Sequence, residues 1–182
     1  MTAPRPDPLG LLGDLVARAG KAGADAADAV LVEGTSLAVA HRLGRLEGID
    51  RSEGYDLGLR VFVGRRSAVV SSNDHRAPAL AEVVERALAM ARAVPEDDHA
   101  GLADPAVLAR AWPELDLEDP DEPAAERLAG FAAEAEDAAR AVPGVTNSEG
   151  AEAGWGRSRV HLVASNGFAG AFGGTSASLG AS

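Results

Sequence analysis

Apolar residues recur at helical spacing in three windows of this chain and at alternate positions through most of the rest. From Pro8 to about Ala22, residues Leu11, Leu12, Leu15, Val16 and Ala19 fall on one helical face. Asp7 is placed to cap that helix, Pro8 suits its first position, and Gly20 and Gly23 end it. Pro78 to Val94 carries a second stripe, Leu80, Val83, Val84, Ala87, Leu88 and Ala91, with Asn73 or Asp74 capping its approach and Pro95 stopping it. A third helix is predicted from about Ala124 to Val142, with Leu128, Phe131, Ala135 and Ala138 as its stripe and Pro143-Gly144 as its end. Leu102 to Arg110 can hold a short helix after Asp104-Pro105, and Trp112 to Pro123 reads as loop or extended chain.

The alternating stretches predict strands. Ala27 to Glu33 and Ser36 to Leu43 are separated by a Gly34-Thr35 turn, and Arg45 to Arg51 either extends the second or begins the next. Tyr55 to Val63 puts Leu57, Leu59, Val61 and Val63 on one face and Gly58, Arg60 and Phe62 on the other. Gly64-Arg65 then turns the chain into Arg66 to Ser71. Three further strands are predicted over Val145 to Glu152, Arg159 to Ala164 and Phe168 to Leu179, with turns at Gly154-Trp155-Gly156 and Asn166-Gly167. Strands this close, joined by short glycine turns, pair antiparallel, because a parallel pair needs a long crossover. The expected fold is α+β: a two-layer α/β sandwich with an antiparallel or mixed sheet and two long helices, packed through Leu80, Val84, Leu88, Leu128 and Phe131. One domain is expected over residues 1–182, with an acidic, Pro-rich segment at 96–123 and a β-meander at 145–182. The last strand has no closing element after Leu179, which reads as a chain interrupted at its C-terminus with an edge open to a second copy.

Composition narrows the chemistry. Aromatic residues are 4% of the chain against 46% hydrophobic overall, so the core rests on Ala, Val and Leu. With no cysteine, disulfides and thiolate zinc sites are excluded. The first eight residues hold one Arg and no apolar run, unlike a signal peptide, and no stretch has the length of a membrane span. A cytoplasmic protein with no membrane contact is expected. The net charge of −11 belongs to one region: residues 96–137 hold 14 acidic and two basic side chains, while the flanks are balanced. Direct nucleic-acid binding is not expected, since phosphate neutralisation needs clustered Lys and Arg.

Local motifs offer no catalytic site. His41, His75, His99 and His161 include no pair at the spacing that sets two imidazoles on one helix face. Asp97-Asp98-His99 reads as a solvated acidic loop, and Asp74-His75 as a helix approach. Ser71, Ser72, Ser148, Ser165, Ser176 and Ser178 lie in strand-like or turn-like contexts without a nucleophile elbow. Gly170 to Ser176 is glycine-rich but lacks the lysine of a phosphate loop. Asp116, Glu118, Asp119, Asp121 and Glu122 read as a solvated charged face.

Four stretches together carry a resemblance. They are Gly48 to Asp74, which includes Val-Phe-Val-Gly at Val61 to Gly64; the Leu80 to Ala93 helix; Val145-Thr-Asn-Ser-Glu-Gly-Ala151; and Ser165-Asn-Gly-Phe168 followed by Gly174-Thr-Ser176. Gly58 and Gly64 suit close approach and a tight turn, Gly150 and Gly167 suit positive φ, and Asn147 and Asn166 suit turns. In order and spacing, from about Leu11 to Ser182, these stretches resemble the TldD/PmbA family, also called modulators of DNA gyrase, and look more like its PmbA (TldE) branch. The resemblance implies a bacterial cytosolic subunit of a metallopeptidase complex that processes or degrades peptides and small unfolded proteins. In that family a TldD-type partner carries the zinc motif, which lies beyond the region matched here. The implied site residues of this chain are therefore none, catalytic, cofactor-binding or metal, and zinc is assigned to the partner. The alternative is a regulatory protein-binding module acting on gyrase or an antitoxin without proteolysis.

Overall fold

A computed structural model describes residues 7–182; the expectation for Met1 to Pro6 falls outside that range. The element order is helix α1 (Pro8–Lys21), strands β1 (Ala26–Arg42), β2 (Arg45–Val63) and β3 (Arg66–Ser72), helix α2 (Ala77–Ala93), helix α3 (Ala125–Arg140), and strands β4 (Ala151–Ala164) and β5 (Ala169–Ala181). A single 3-10 turn, Pro105–Val107, stands where the short helix was expected, and Asp104 accepts from the Ala106 N–H at its start. The strands form one sheet in the order β3-β2-β1-β4-β5, and β2 pairs antiparallel with β3 from Leu57 opposite Ser72 to Val63 opposite Arg66. The fold is α+β, with three α-helices of 14, 17 and 16 residues among the described residues.

The described residues group into two compact units, each with its own core. One comprises the chain up to Glu33, Tyr55–Glu114 and Val160–Phe172. Its core brings Leu12, Leu15, Val16 and Ala19 of α1 and the predicted stripe of α2 against Ala27, Ala29, Leu31, Leu57, Leu59, Val61 and Val70. Asp7 caps α1 by accepting from the Gly10 N–H at 3.0 Å. Asp74 caps no helix N–H; it folds back on Arg76, both backbone and guanidinium, ahead of α2.

The other unit comprises Gly34–Gly54, Leu115–Arg159 and Gly173–Ser182. Here Leu128 and Ala132 of α3 pack with Leu37, Val39, Ala151, Ala153 and Trp155. The stripe of α3 is rotated from the expected one: Phe131 is 41% exposed, and Glu136 takes a fully buried position. Two predicted turns are absent. Gly34-Thr35 lies inside the continuous β1, and Gly154-Trp155-Gly156 lies inside β4, with the Arg157 guanidinium 5.1 Å from the Trp155 ring centre. A side chain at position 154 would meet the Ser178 Oγ at 2.7 Å, so glycine serves strand approach there. The strand expected from Val145 begins instead at Ala151.

The β5 edge is partly covered by the chain itself. The Thr175 N–H donates to the Leu117 carbonyl at 2.9 Å, and the Asp119 N–H to the Thr175 hydroxyl at 2.9 Å. Phe172 and Leu179 remain 63% and 57% exposed. Among the described residues, no helix is long and apolar enough to cross a membrane.

Candidate functional site

Polar and ionisable side chains converge most closely around Glu136. The β1–β2 hairpin turns at Leu43-Gly44, both with positive φ (49° and 76°), a conformation that costs a branched residue such as leucine. Glu136 compensates that turn by accepting the Leu43 N–H at 2.8 Å. The same carboxylate accepts the Ser148 hydroxyl at 2.7 Å and lies 3.2 Å from His41 Nδ1. Ser148 Oγ in turn accepts the Gly150 N–H at 3.0 Å, and Arg42 Nε donates to the Ser148 carbonyl at 3.1 Å. The Leu43 N–H and then the Ser148 hydroxyl hold the Glu136 carboxyl at about 2, against the opposing effect of burial, with His41 adding to the lowering.

Serine, histidine and a carboxylate in contact invite comparison with a nucleophilic triad, and the connectivity decides against it. In such a triad the imidazole stands between hydroxyl and carboxylate so that it can take the serine proton. Here the carboxylate stands between, the hydroxyl donates to it, and Ser148 is buried. A carboxylate with so low a proton affinity is a poor general base. The cluster fastens hairpin, helix and the Ser148–Gly150 bend together.

Gly150 is part of that fastening. Its φ is +111°, and an added Cβ would sit 2.9 Å from the His41 carbonyl oxygen. Gly150→Ala is expected to lower stability by roughly 2–3 kcal/mol through backbone strain and that contact. Urea unfolding followed by circular dichroism checks this against Gly34→Ala, whose added Cβ meets nothing within 4 Å. Equal midpoints for the two variants would show that the bend does not require glycine.

A second feature is a trough of about 540 Å³ in the same unit. Glycine and serine from four strands line it: Gly34 and Ser36, Ser52 and Gly54, Gly156 and Ser158, Gly174 and Ser176, with Thr35, Arg157 and Thr175. Small side chains leave the backbone open to close approach, and hydroxyls supply donors and acceptors. The trough holds no carboxylate, imidazole or thiol, so its chemistry is that of contact.

The remaining candidate residues are dispersed. His75 packs against Tyr55 with ring centres 4.2 Å apart and planes inclined at 50°, and His161 Nε2 lies 3.2 Å from Glu33. The Asp97 side chain accepts the His99 N–H, and Asp98 pairs with Arg65. Ser165 Oγ accepts the Ala27 N–H, and Gly170 to Ser176 lies within β5. The acidic run is more engaged than a solvated face. Glu118 accepts from Arg159 Nε at 3.1 Å and Glu122 pairs with Arg51; the Arg159 bond, with Arg157 nearby, lowers the Glu118 proton affinity. Among the described residues no three His, Asp or Glu side chains converge as metal ligands would.

Residues 27–91 match the model of PmbA/TldA metallopeptidase domain 1. The chain is 35% identical to the Metalloprotease PmbA of Escherichia coli O157:H7 over 127 residues, 69% of this chain and 28% of that protein. It is 34% identical to the Metalloprotease PmbA homolog of Haemophilus influenzae over 132 residues, 72% and 29%. The chain belongs to the TldD/PmbA family. It spans less than a third of the length of these relatives. Two solved structures share the fold of this TldD/PmbA-family chain. A protein from Bacteroides thetaiotaomicron called a modulator of DNA gyrase aligns with a TM-score of 0.84 at 22% identity, over 93% of this chain and 39% of that one. TldE from Thermococcus kodakarensis aligns at 0.78 and 16% identity, over 93% and 38%. The Val145 to Ala151 stretch that carried part of the resemblance contains Ser148 and Gly150; their tie to Glu136, twelve residues before Ser148, had no signal in the sequence.

Proposed function

We propose that this chain is a non-catalytic N-terminal domain of a TldE/PmbA-like subunit in a cytosolic metallopeptidase complex. The complex processes or degrades peptides and small unfolded proteins, with zinc held by a TldD-type partner subunit. The observation that supports this most is the 35% identity with the Metalloprotease PmbA over 127 residues. The glycine- and serine-lined trough suits an extended polypeptide, whose backbone can approach small residues closely.

The test mixes the purified chain with a TldD-type subunit and follows zinc content, co-elution and cleavage of an unfolded reporter peptide. Co-elution is expected, with chelator-sensitive cleavage in the mixture and none from the chain by itself. Chelator-sensitive cleavage by the chain alone would overturn the assignment. A stable complex that never cleaves would favour a regulatory module.

A further inference from the structure

The acidic segment after Trp112 lies in a seat of opposite charge. Residues 114–122 hold six acidic side chains and no basic one. They form no helix or strand, and from Leu115 to Glu122 every residue is exposed except Glu118, which is half-buried. What holds the segment is mostly charge. Glu118 engages Arg159 and lies 3.7 Å from Arg157, and Glu122 engages Arg51. Arg157 also donates to the Pro120 carbonyl at 3.1 Å, and the segment's backbone meets β5 at Thr175. Leu115 and Leu117 are 61% and 50% exposed, so apolar burial adds little. Exposed ion pairs are individually weak and screened by salt, so a segment held this way exchanges readily.

We propose that residues 115–122 form a displaceable strap, and that the seat beneath it, Arg51, Arg157, Arg159 and the backbone at Thr175, receives an acidic stretch of extended polypeptide in its place. The strap displays the ligand's chemistry: a chain outside helix and strand, two carboxylates four residues apart meeting guanidinium groups, and one backbone bond to β5. Arginine suits this role because its planar fork grips a carboxylate through two bonds, as Arg159 grips Glu118 through Nε and Nη2. Arg51 bonds Glu53 on its own strand at 3.0 Å as well as Glu122, so releasing the strap does not strand an uncompensated charge there. The seat thus has a resident competitor, and its apparent affinity for a peptide is set by how often the strap is away. This inference deepens the peptide-handling function proposed above and rests on it for the class of ligand.

The test uses the whole chain and a short fluorescent peptide of alternating Glu and Ser, with Gln in place of Glu as control and an oligothymidylate as a competing polyanion. Binding is read by anisotropy, and strap release by hydrogen exchange at Leu117 to Asp119. The Glu peptide should bind weakly to the natural chain, about tenfold more tightly to E118Q/E122Q, and negligibly to R159Q or R51Q, with melting temperatures confirming that each variant is folded. Exchange at the strap should quicken when the Glu peptide is added. Equal affinity across all variants, or strap exchange that ignores the peptide, would overturn the proposal; so would oligothymidylate binding the opened seat more tightly than the Glu peptide. None of these readouts involves hydrolysis, so a complex that fails to cleave leaves them standing, and their failure leaves the subunit assignment standing.

Discussion

Val61→Asp should unfold the unit built on α1 and α2. Val61 and its strand neighbour Leu59 are both fully buried against that core. An aspartate there has no charge partner, and an unpaired buried carboxylate costs several kcal/mol even after it takes up a proton. Total stabilities of roughly 5–15 kcal/mol leave little to absorb this. The composition sharpens the effect, because Ala19, Ala27, Ala29, Ala87 and Ala91 occupy much of the same core and bury little area each. Val61→Ala isolates the packing share and should cost about 2 kcal/mol. Val69→Asp, on β3 at 60% exposure, should change stability by about 0.5 kcal/mol or less. Thermal unfolding by circular dichroism separates the three; an unchanged melting temperature for Val61→Asp would mean that the inward face of β2 is assigned wrongly.

Patterning made that face legible. Leu57, Leu59 and Val61 alternate with residues of different character, and α1 and α2 carry unbroken apolar stripes between a capping aspartate or proline and a glycine or proline stop. Such local signals suffice because each element needs only its own sequence to show where its buried side lies. Pattern alone divides the strands more finely than the fold does, for a related reason. Gly34 and Gly154 look like turn residues, yet each sits within a long strand, and at Gly154 an added side chain would require the neighbouring Ser178 hydroxyl to shift. A single sequence does not distinguish a glycine selected for its torsion angles from one selected for closeness of approach. The α3 stripe keeps Leu128 and Ala135 at the core and departs from the predicted one at Phe131, which is exposed, and at Glu136, a charged residue that periodicity does not place inside. Its partners, Leu43 and His41, are 93 and 95 residues away in sequence, and without them a buried carboxylate is not foreseeable.

The candidate site shows the same boundary. The Thr-Asn-Ser-Glu-Gly stretch stood out as a motif, and the positive φ expected for Gly150 is observed. The function of Ser148 as a donor to Glu136 depends on a helix that periodicity places but does not orient. The acidic run was visible as charge; that Glu118 and Glu122 each meet arginines depends on pairings 41 and 71 residues apart. Charge patterns in sequence give sign and density, whereas partner choice belongs to the folded sheet.

Glu136 gives the second large effect. Glu136→Ala removes the acceptor for two donors, the Leu43 N–H and the Ser148 hydroxyl, and leaves His41 without its carboxylate partner. The Leu43-Gly44 turn, already in an unfavourable conformation for leucine, loses the bond that offsets it. A fall in melting temperature of about 10 °C is expected at neutral pH, with Trp155 fluorescence reporting loss of the surrounding core. The pH dependence follows from the depressed proton affinity. The carboxyl's ordinary value is 4.5, and the Leu43 N–H, with Ser148 next, holds it at about 2 in the folded chain. Because the folded value is the lower one, the unfolded state binds the proton first on acidification. The stabilisation is therefore complete above about pH 4.5 and disappears as pH falls towards 2. Asp74, held at about 2 mainly by its bond to the Arg76 side chain, is lost over the same range. The Glu136 share is the difference between the natural chain and Glu136→Gln, which has no proton to gain. Their melting temperatures should be furthest apart near pH 7 and converge near pH 2. Parallel curves across that range would show that the carboxylate's charge is not what fastens the hairpin to α3.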